Sequence, residues 1–111
     1  MDIGIDIVKN DRFTKYLKNL KFLSRILSVN EINKFNNMES DIAKINFLAG
    51  RFSAKEAIIK ATNKKLLFSK ISIENLENGK PIVFYDNKIM NNILISISHE
   101  NDYSVSFSMF I

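Results

Sequence analysis

The sequence predicts an α+β protein, with helices in the first half and mostly antiparallel strands in the second. Three observations carry that expectation. Apolar residues recur at helical spacing between Asp41 and Asn63. Beyond Ile71 the period falls to two, in Ile93, Ile95 and Ile97 and again in Tyr103, Val105, Phe107 and Met109. Turn chemistry separates the alternating runs, at Asn78-Gly79-Lys80-Pro81 and at Glu100-Asn101-Asp102.

The elements follow in order. Ile3 to Val8 reads as a strand, Ile3, Ile5 and Ile7 alternating against Gly4, Asp6 and Val8. A short amphipathic helix is expected over Asp11 to Leu20, with Phe13, Tyr16, Leu17 and Leu20 as its apolar residues. Basic residues recur through it at Lys9, Arg12, Lys15, Lys18 and Lys21. Ser28, followed three residues later by Glu31, is a capping-box start for a second short helix reaching about Asn37. Ser40 or Asp41 caps the long helix, on which Ile45, Ala49, Phe52 and Ile59 share one side. Ile71, Ile73 and Leu76 suggest a strand, and Ile82 to Tyr85 a second one after the turn. Asp86 to Asn91 reads as a short helix or loop, and the last two strands as an antiparallel hairpin. No repeat, low-complexity segment or linker interrupts the pattern, so residues 1–111 are expected to form one domain.

Composition narrows the function classes. A chain of 111 residues, 46% apolar, buries a modest core that oligomerisation would supplement. The absence of cysteine excludes disulfides and thiolate metal sites and is compatible with a reducing cytoplasm. Met1-Asp2-Ile3-Gly4-Ile5-Asp6 carries two acids and no basic leader, unlike a signal peptide. No apolar run approaches the ~20 residues of a membrane span. The formal charge of +4, from 16 basic and 12 acidic side chains, favours an anionic partner. Nucleic acid, an acidic protein and a polyphosphate cofactor all satisfy it.

Two acids lie where charge is unexpected. Glu56 falls within the apolar stripe of the long helix, with Lys60 one turn beyond. A carboxylate there must find a partner by ion pair, hydrogen bond or metal. The plain alternative is a Glu56–Lys60 pair at a spacing of four. Asp6 sits between Ile5 and Ile7 in the first strand, and alone it equally fits a strand-end carboxylate facing solvent. If helix packs on sheet, the two acids converge, and a pair of carboxylates with room for water suits Mg²⁺ and substrate phosphates. His99, the only histidine, ends a strand, where such residues are usually structural or solvated.

Taken in order, Gly4-Ile5-Asp6-Ile7-Val8, the run Phe47-Leu48-Ala49-Gly50-Arg51-Phe52-Ser53-Ala54-Lys55-Glu56-Ala57, then Asn78-Gly79-Lys80-Pro81 and Ser96-Ile97-Ser98-His99 resemble the holo-[acyl-carrier-protein] synthase family. These are the short bacterial 4′-phosphopantetheinyl transferases, and the resemblance spans essentially the whole chain. It implies the fold of that family as a homotrimer with interfacial active sites. It implies transfer of the 4′-phosphopantetheine arm of coenzyme A to a serine of apo acyl carrier protein, a cytoplasmic step serving fatty acid synthesis, with adenosine 3′,5′-bisphosphate as by-product. By this likeness Asp6 and Glu56 bind Mg²⁺, Glu56 and Lys60 are catalytic, and Lys60 also meets phosphate. Arg51 reaches a coenzyme A phosphate, while Asn78, Gly79, Lys80, Pro81, Ser98 and His99 line the nucleotide end from the neighbouring subunit. Arg12, Lys15, Lys21 and Arg25 suit docking of an acidic carrier.

The likeness is incomplete in two places. A basic pair common in the family before the Phe47 run is replaced by Ile42 and Ala43, leaving Lys44 nearby. The glycine-rich segment usual after the long helix is Lys64-Lys65-Leu66-Leu67 here. Competing expectations are a small basic nucleic-acid-binding module, allowed by net charge, and a non-catalytic trimeric scaffold that binds coenzyme A without turnover. Neither gives Asp6 and Glu56 a shared purpose as directly.

Overall fold

Strand β1 (Asp2–Lys9) leads into a 3₁₀ helix, Asn10–Tyr16, and then into α1 (Leu20–Ile26), α2 (Val29–Asn36) and α3 (Asp41–Thr62). A second short 3₁₀ helix, Phe68–Lys70, precedes β2 (Ile71–Asn75), β3 (Pro81–Tyr85), β4 (Lys88–Ile89), β5 (Ile93–His99) and β6 (Tyr103–Phe110). This is a computed structural model in which all 111 residues are described. The strands are antiparallel as expected and form two three-stranded sheets, ordered β1-β6-β5 and β2-β3-β4. No helix is long and apolar enough to cross a membrane.

Local chemistry sets the helix starts. Ser28 Oγ accepts from the Glu31 amide, and the Glu31 carboxylate accepts from the Ser28 amide 2.9 Å away, so α2 begins with the expected capping box. Ser40 caps α3 by accepting from the Ala43 amide at 3.0 Å. Asn63 ends α3 in the left-handed conformation, φ 52°, and returns its amide to Ile59 O. Where a helix was expected over Asp11 to Leu20 the chain forms only the 3₁₀ turn Asn10–Tyr16, and α1, capped by the Asn19 side chain, follows as an element the pattern did not indicate. Leu20, expected among the apolar residues of that helix, is exposed. Asp86 and Asn87, both at positive φ, form the two-residue turn between β3 and β4 where a helix or loop was expected. Leu76 lies beyond the end of β2 and is exposed.

Sheet β1-β6-β5 packs its small residues inward. Ser104, Ser106 and Ser108 of β6 are fully buried, and Ser106 Oγ lies 2.6 Å from Ser53 Oγ of α3. On β1 the inward positions are Gly4, Asp6 and Val8. A Cβ on Gly4 would stand 2.1 Å from Ala57 O and 2.7 Å from Ala61 N, so glycine is what lets the strand lie against the helix backbone. The isoleucines take the opposite face, with Ile3, Ile5 and Ile7 62%, 60% and 61% exposed.

Helix α3 is enclosed on more sides than one apolar stripe implies. Leu48, Ala49, Ala54, Lys55, Ile58 and Ala61 are buried, whereas Ile45, Phe52, Glu56 and Ile59 are half-buried. The stripe read from the sequence is therefore a flank of the helix, and of its named apolar members only Ala49 lies in the core. Two apolar clusters hold α3. Phe13, Leu23, Leu27 and Phe35 surround Leu48 and Ala49, while Ile71, Ile73, Val83 and Ile93 surround Ala54 and Ile58.

Candidate active site

The close approach of β1 to α3 brings Asp6 to Lys60. Gly4 abuts Ala57 and Ala61. Ser106, which faces Asp6 across the ladder, bonds Ser53 one helical turn before Ala57. Asp6 therefore lies level with the turn carrying Ser53 and Glu56. Lys60 Nζ reaches back to it, donating to Asp6 Oδ1 at 3.2 Å and to Ile5 O at 3.0 Å. The Glu56–Lys60 pair allowed by spacing is not formed, because Asp6 takes the ammonium. A solvent-facing Asp6 is likewise excluded: its side chain is only 15% exposed. Its second oxygen, Oδ2, is buried and has no hydrogen-bond partner. A buried carboxyl oxygen left without a partner favours a ligand.

Glu56 lines a separate opening on the same side of α3, a cleft of about 540 Å³. Arg25 and Ile26 of α1 form one wall and Leu66, Leu67 and Phe68 the other, with Phe52 between them. Phe52 packs obliquely on Phe13 and Phe68, at ring separations of 5.2 and 5.5 Å. The Arg12 guanidinium lies 5.2 Å from the Phe52 ring and 5.5 Å from that of Phe13. Of the carrier-docking set, Arg25 lines this cleft and Arg12 lies against its Phe52. Lys15 lies over Tyr16, and Lys21 is exposed at the start of α1.

A second cleft, of about 520 Å³, opens on the opposite flank around Gly50 and Arg51. Asn75, Gly79, Pro81, Ser96 and His99 line it, as do Lys34 and Phe47. It gathers Arg51, Gly79, Pro81 and His99 from the expected nucleotide set. Asn78 and Lys80 are exposed in the turn and Ser98 on the outer sheet face, outside the lining. Arg51 does not point freely into it. Its Nε lies 3.3 Å from Glu31 Oε2 and its Nη2 donates to Asn75 Oδ1 at 3.2 Å. Burial lowers the Arg51 pKa, a shift Glu31 opposes.

The model of the 4′-phosphopantetheinyl transferase superfamily matches residues 2–108. The chain belongs to that superfamily. A holo-[acyl-carrier-protein] synthase of Mycoplasma mycoides subsp. mycoides SC is 44% identical over 108 residues, 97% of this chain and 92% of the relative. A Staphylococcus aureus holo-[acyl-carrier-protein] synthase is 42% identical over 109 residues, covering 94% and 89%. The crystal structure of a holo-(acyl-carrier-protein) synthase from Bacillus anthracis in complex with CoA (3′,5′-ADP) superposes with a TM-score of 0.82 at 34% identity, over 96% of this chain and 92% of that one.

Within this superfamily member the most deeply buried ionic group is one the sequence pattern does not single out. Lys55, immediately before Glu56, is fully buried. Its Nζ donates to Glu31 Oε1 at 2.5 Å, to Ile26 O at 2.7 Å and to Phe68 O at 2.9 Å. All three ammonium hydrogens are therefore used. Burial pushes its pKa down to about 8 although Glu31 pulls it up. Ile26 and Phe68 stand on opposite walls of the Glu56 cleft, so one side chain ties both walls to α3. Glu31 also accepts from the Ile73 amide at 2.9 Å. The available signal was the capping box itself: a Glu fixed at the third position of a short helix brings a negative charge to whatever α2 packs on.

Proposed function

We propose that the protein transfers the 4′-phosphopantetheine arm of coenzyme A to a serine of an apo acyl carrier protein and releases adenosine 3′,5′-bisphosphate. The observation that carries the proposal is the Asp6–Lys60 contact, with a buried unpartnered carboxylate oxygen on Asp6 and Glu56 one turn along α3. The likeness to holo-[acyl-carrier-protein] synthases, one of them in complex with CoA, supports it.

The donor set fits Mg²⁺. Two hard carboxylates, Asp6 and Glu56, would hold it, leaving the remaining positions to water and substrate oxygens. When bound, the ion draws charge from the pyrophosphate of coenzyme A. Lys60, its side chain about half exposed, sits where it can meet the same phosphates and offset charge gathering on the departing adenosine bisphosphate. The carrier serine enters the Glu56 cleft. The hydroxyl proton leaves to a general base, either Glu56, the one carboxylate lining this cleft, or a water held by the metal ion, as oxygen attacks the β-phosphorus and adenosine 3′,5′-bisphosphate departs. Arg12, Lys15, Lys21 and Arg25 steer the acidic carrier to that opening. Arg51, Asn78, Gly79, Lys80, Pro81, Ser98 and His99 serve the nucleotide end.

Assembly completes the site. The outward row of β1 faces Val105, Phe107 and Met109 of β6 across the ladder, with Leu94 beyond on β5. Such an apolar sheet face is covered in most proteins. A homotrimer, acting in the cytoplasm, covers it and sets the nucleotide cleft of one subunit beside Asp6 and Glu56 of the next. The test is to incubate the protein with coenzyme A, Mg²⁺ and apo carrier and weigh the carrier by mass spectrometry. The wild type adds one arm, and Glu56→Gln folds and assembles but loses transfer by at least about a hundredfold. An unchanged carrier mass with several acidic carriers at saturation would sink the proposal.

A further inference from the structure

Lys34 is the one cation in the nucleotide cleft without a protein partner. It projects from α2, four residues before Met38, and forms no ion pair with any carboxylate. Its Nζ lies 5.9 Å from the centroid of the Phe47 ring, and the Arg51 Cζ lies 4.6 Å from the same centroid. Two cations therefore share one aromatic platform inside the cleft. None of the 14 lining residues is Asp or Glu. Glu31, behind the wall, is one carboxylate shared between Arg51, at 3.3 Å, and Lys55, at 2.5 Å, so these three groups keep a net positive charge. Arg51 Nη2 donates to Asn75, its Nε lies 3.3 Å from Glu31 Oε2 without a hydrogen bond, and its Nη1 has no protein partner. The cleft thus presents an ammonium and one face of a guanidinium with no acid between them.

We infer that Lys34, together with Arg51, is the specificity-determining contact for a phosphate monoester dianion, the 3′-phosphate of coenzyme A. The inference rests on the coenzyme A reading above. A monoester carries close to two negative charges at neutral pH, a diester phosphate one. The unpaired Lys34 ammonium and an Arg51 guanidinium that shares its carboxylate with Lys55 favour the former by charge, and the planar guanidinium adds directional donors. Coenzyme A has a single phosphate monoester, on its ribose; its other phosphates form the diester pyrophosphate. Phe47, half-buried beneath the cations, supplies a flat surface beside them.

The test is equilibrium binding of coenzyme A and of 3′-dephosphocoenzyme A to the intact protein, for wild type, Lys34→Gln and Lys34→Glu. Thermal midpoints are recorded as a folding control, since Lys34 is exposed and holds nothing else together. Wild type is expected to prefer coenzyme A. Lys34→Gln weakens coenzyme A by about tenfold and the dephospho compound by less than about twofold, and Lys34→Glu widens the loss for coenzyme A alone. Equal losses for both ligands, or a Lys34→Gln protein that discriminates as well as wild type, overturn the inference. Wild type that binds with this preference yet transfers no arm sinks the transfer reading and leaves Lys34 standing. Transfer with Lys34→Gln showing the wild-type KM for coenzyme A does the reverse, and a wild type that binds neither ligand defeats both.

Discussion

Gly4→Ala probes the junction between fold and chemistry, because it adds one methyl where β1 meets the backbone of α3. That methyl would lie 2.1 Å from Ala57 O and 2.7 Å from Ala61 N, against ordinary contacts that begin at 3.4 Å. The clashing atoms are main-chain atoms inside a helix, so no rotamer relieves them. The strand must retreat by more than about 1 Å, and it retreats as a unit because it is paired to β6 from Asp2 to Lys9. Asp6 moves with it, and the 3.2 Å and 3.0 Å bonds from Lys60 to Asp6 Oδ1 and Ile5 O open beyond hydrogen-bond range. Overpacking of this kind costs about 1–3 kcal/mol. For a chain of this length that lowers the unfolding midpoint by roughly 5–15 °C. A catalytic group misplaced by ~1 Å costs about a hundredfold in rate. Calorimetry gives the midpoint, and single-turnover mass spectrometry of the carrier, run well below it, gives the rate. Since the nearest obstacle is the Ala57 carbonyl and not its methyl, adding Ala57→Gly is expected to restore nothing. A Gly4→Ala protein with the wild-type midpoint and wild-type turnover refutes the claim that this contact positions Asp6.

Two further perturbations separate stability from assembly. Glu31→Gln leaves two buried cations short of their counter-charge and is expected to cost about 3–5 kcal/mol in urea denaturation, whereas Glu31→Gln with Lys55→Met recovers most of that loss. A single variant as stable as wild type would show that the cluster is not coupled. Ile5→Lys, on the outer sheet face, should change the stability of the isolated subunit by less than about 0.5 kcal/mol. In light scattering, however, it is expected to convert the proposed trimer to smaller species with loss of transfer, and a full-sized, active Ile5→Lys assembly argues against this face as the interface.

The parts of the fold visible in the sequence are those written in local chemistry. Ser28 with Glu31, Ser40 before Asp41, and the alternation through Ile93 to Met109 each specify an element from a few neighbouring residues. What misleads is any rule that assumes one core and one solvent side. Helix α3 touches sheet and helices on different flanks, so its burial follows no single stripe, and Glu56 was singled out from a stripe that is only half-buried. Lys55, invisible to that rule, is the charge in the true interior. Its partner Glu31 lies 24 residues earlier, a separation at which spacing says nothing about contact.

Strand β1 shows why the site and the outer face have one origin. Isoleucine alternating with Gly4, Asp6 and Val8 invites the isoleucines inward, by the usual argument that apolar side chains leave water. The chain does the opposite because α3 demands closeness. Only glycine at position 4 and serines at 104, 106 and 108 let helix and strand backbones approach within reach of Lys60 for Asp6. Turning the isoleucines inward would hold the sheet off the helix by a full side-chain layer and send Asp6 to the far face. The geometry that sets Asp6 against Lys60 therefore forces three isoleucines outward, where each is about 60% exposed. A single subunit cannot satisfy both demands. The proposed trimer resolves the conflict by supplying from a neighbour the apolar cover that α3 does not give.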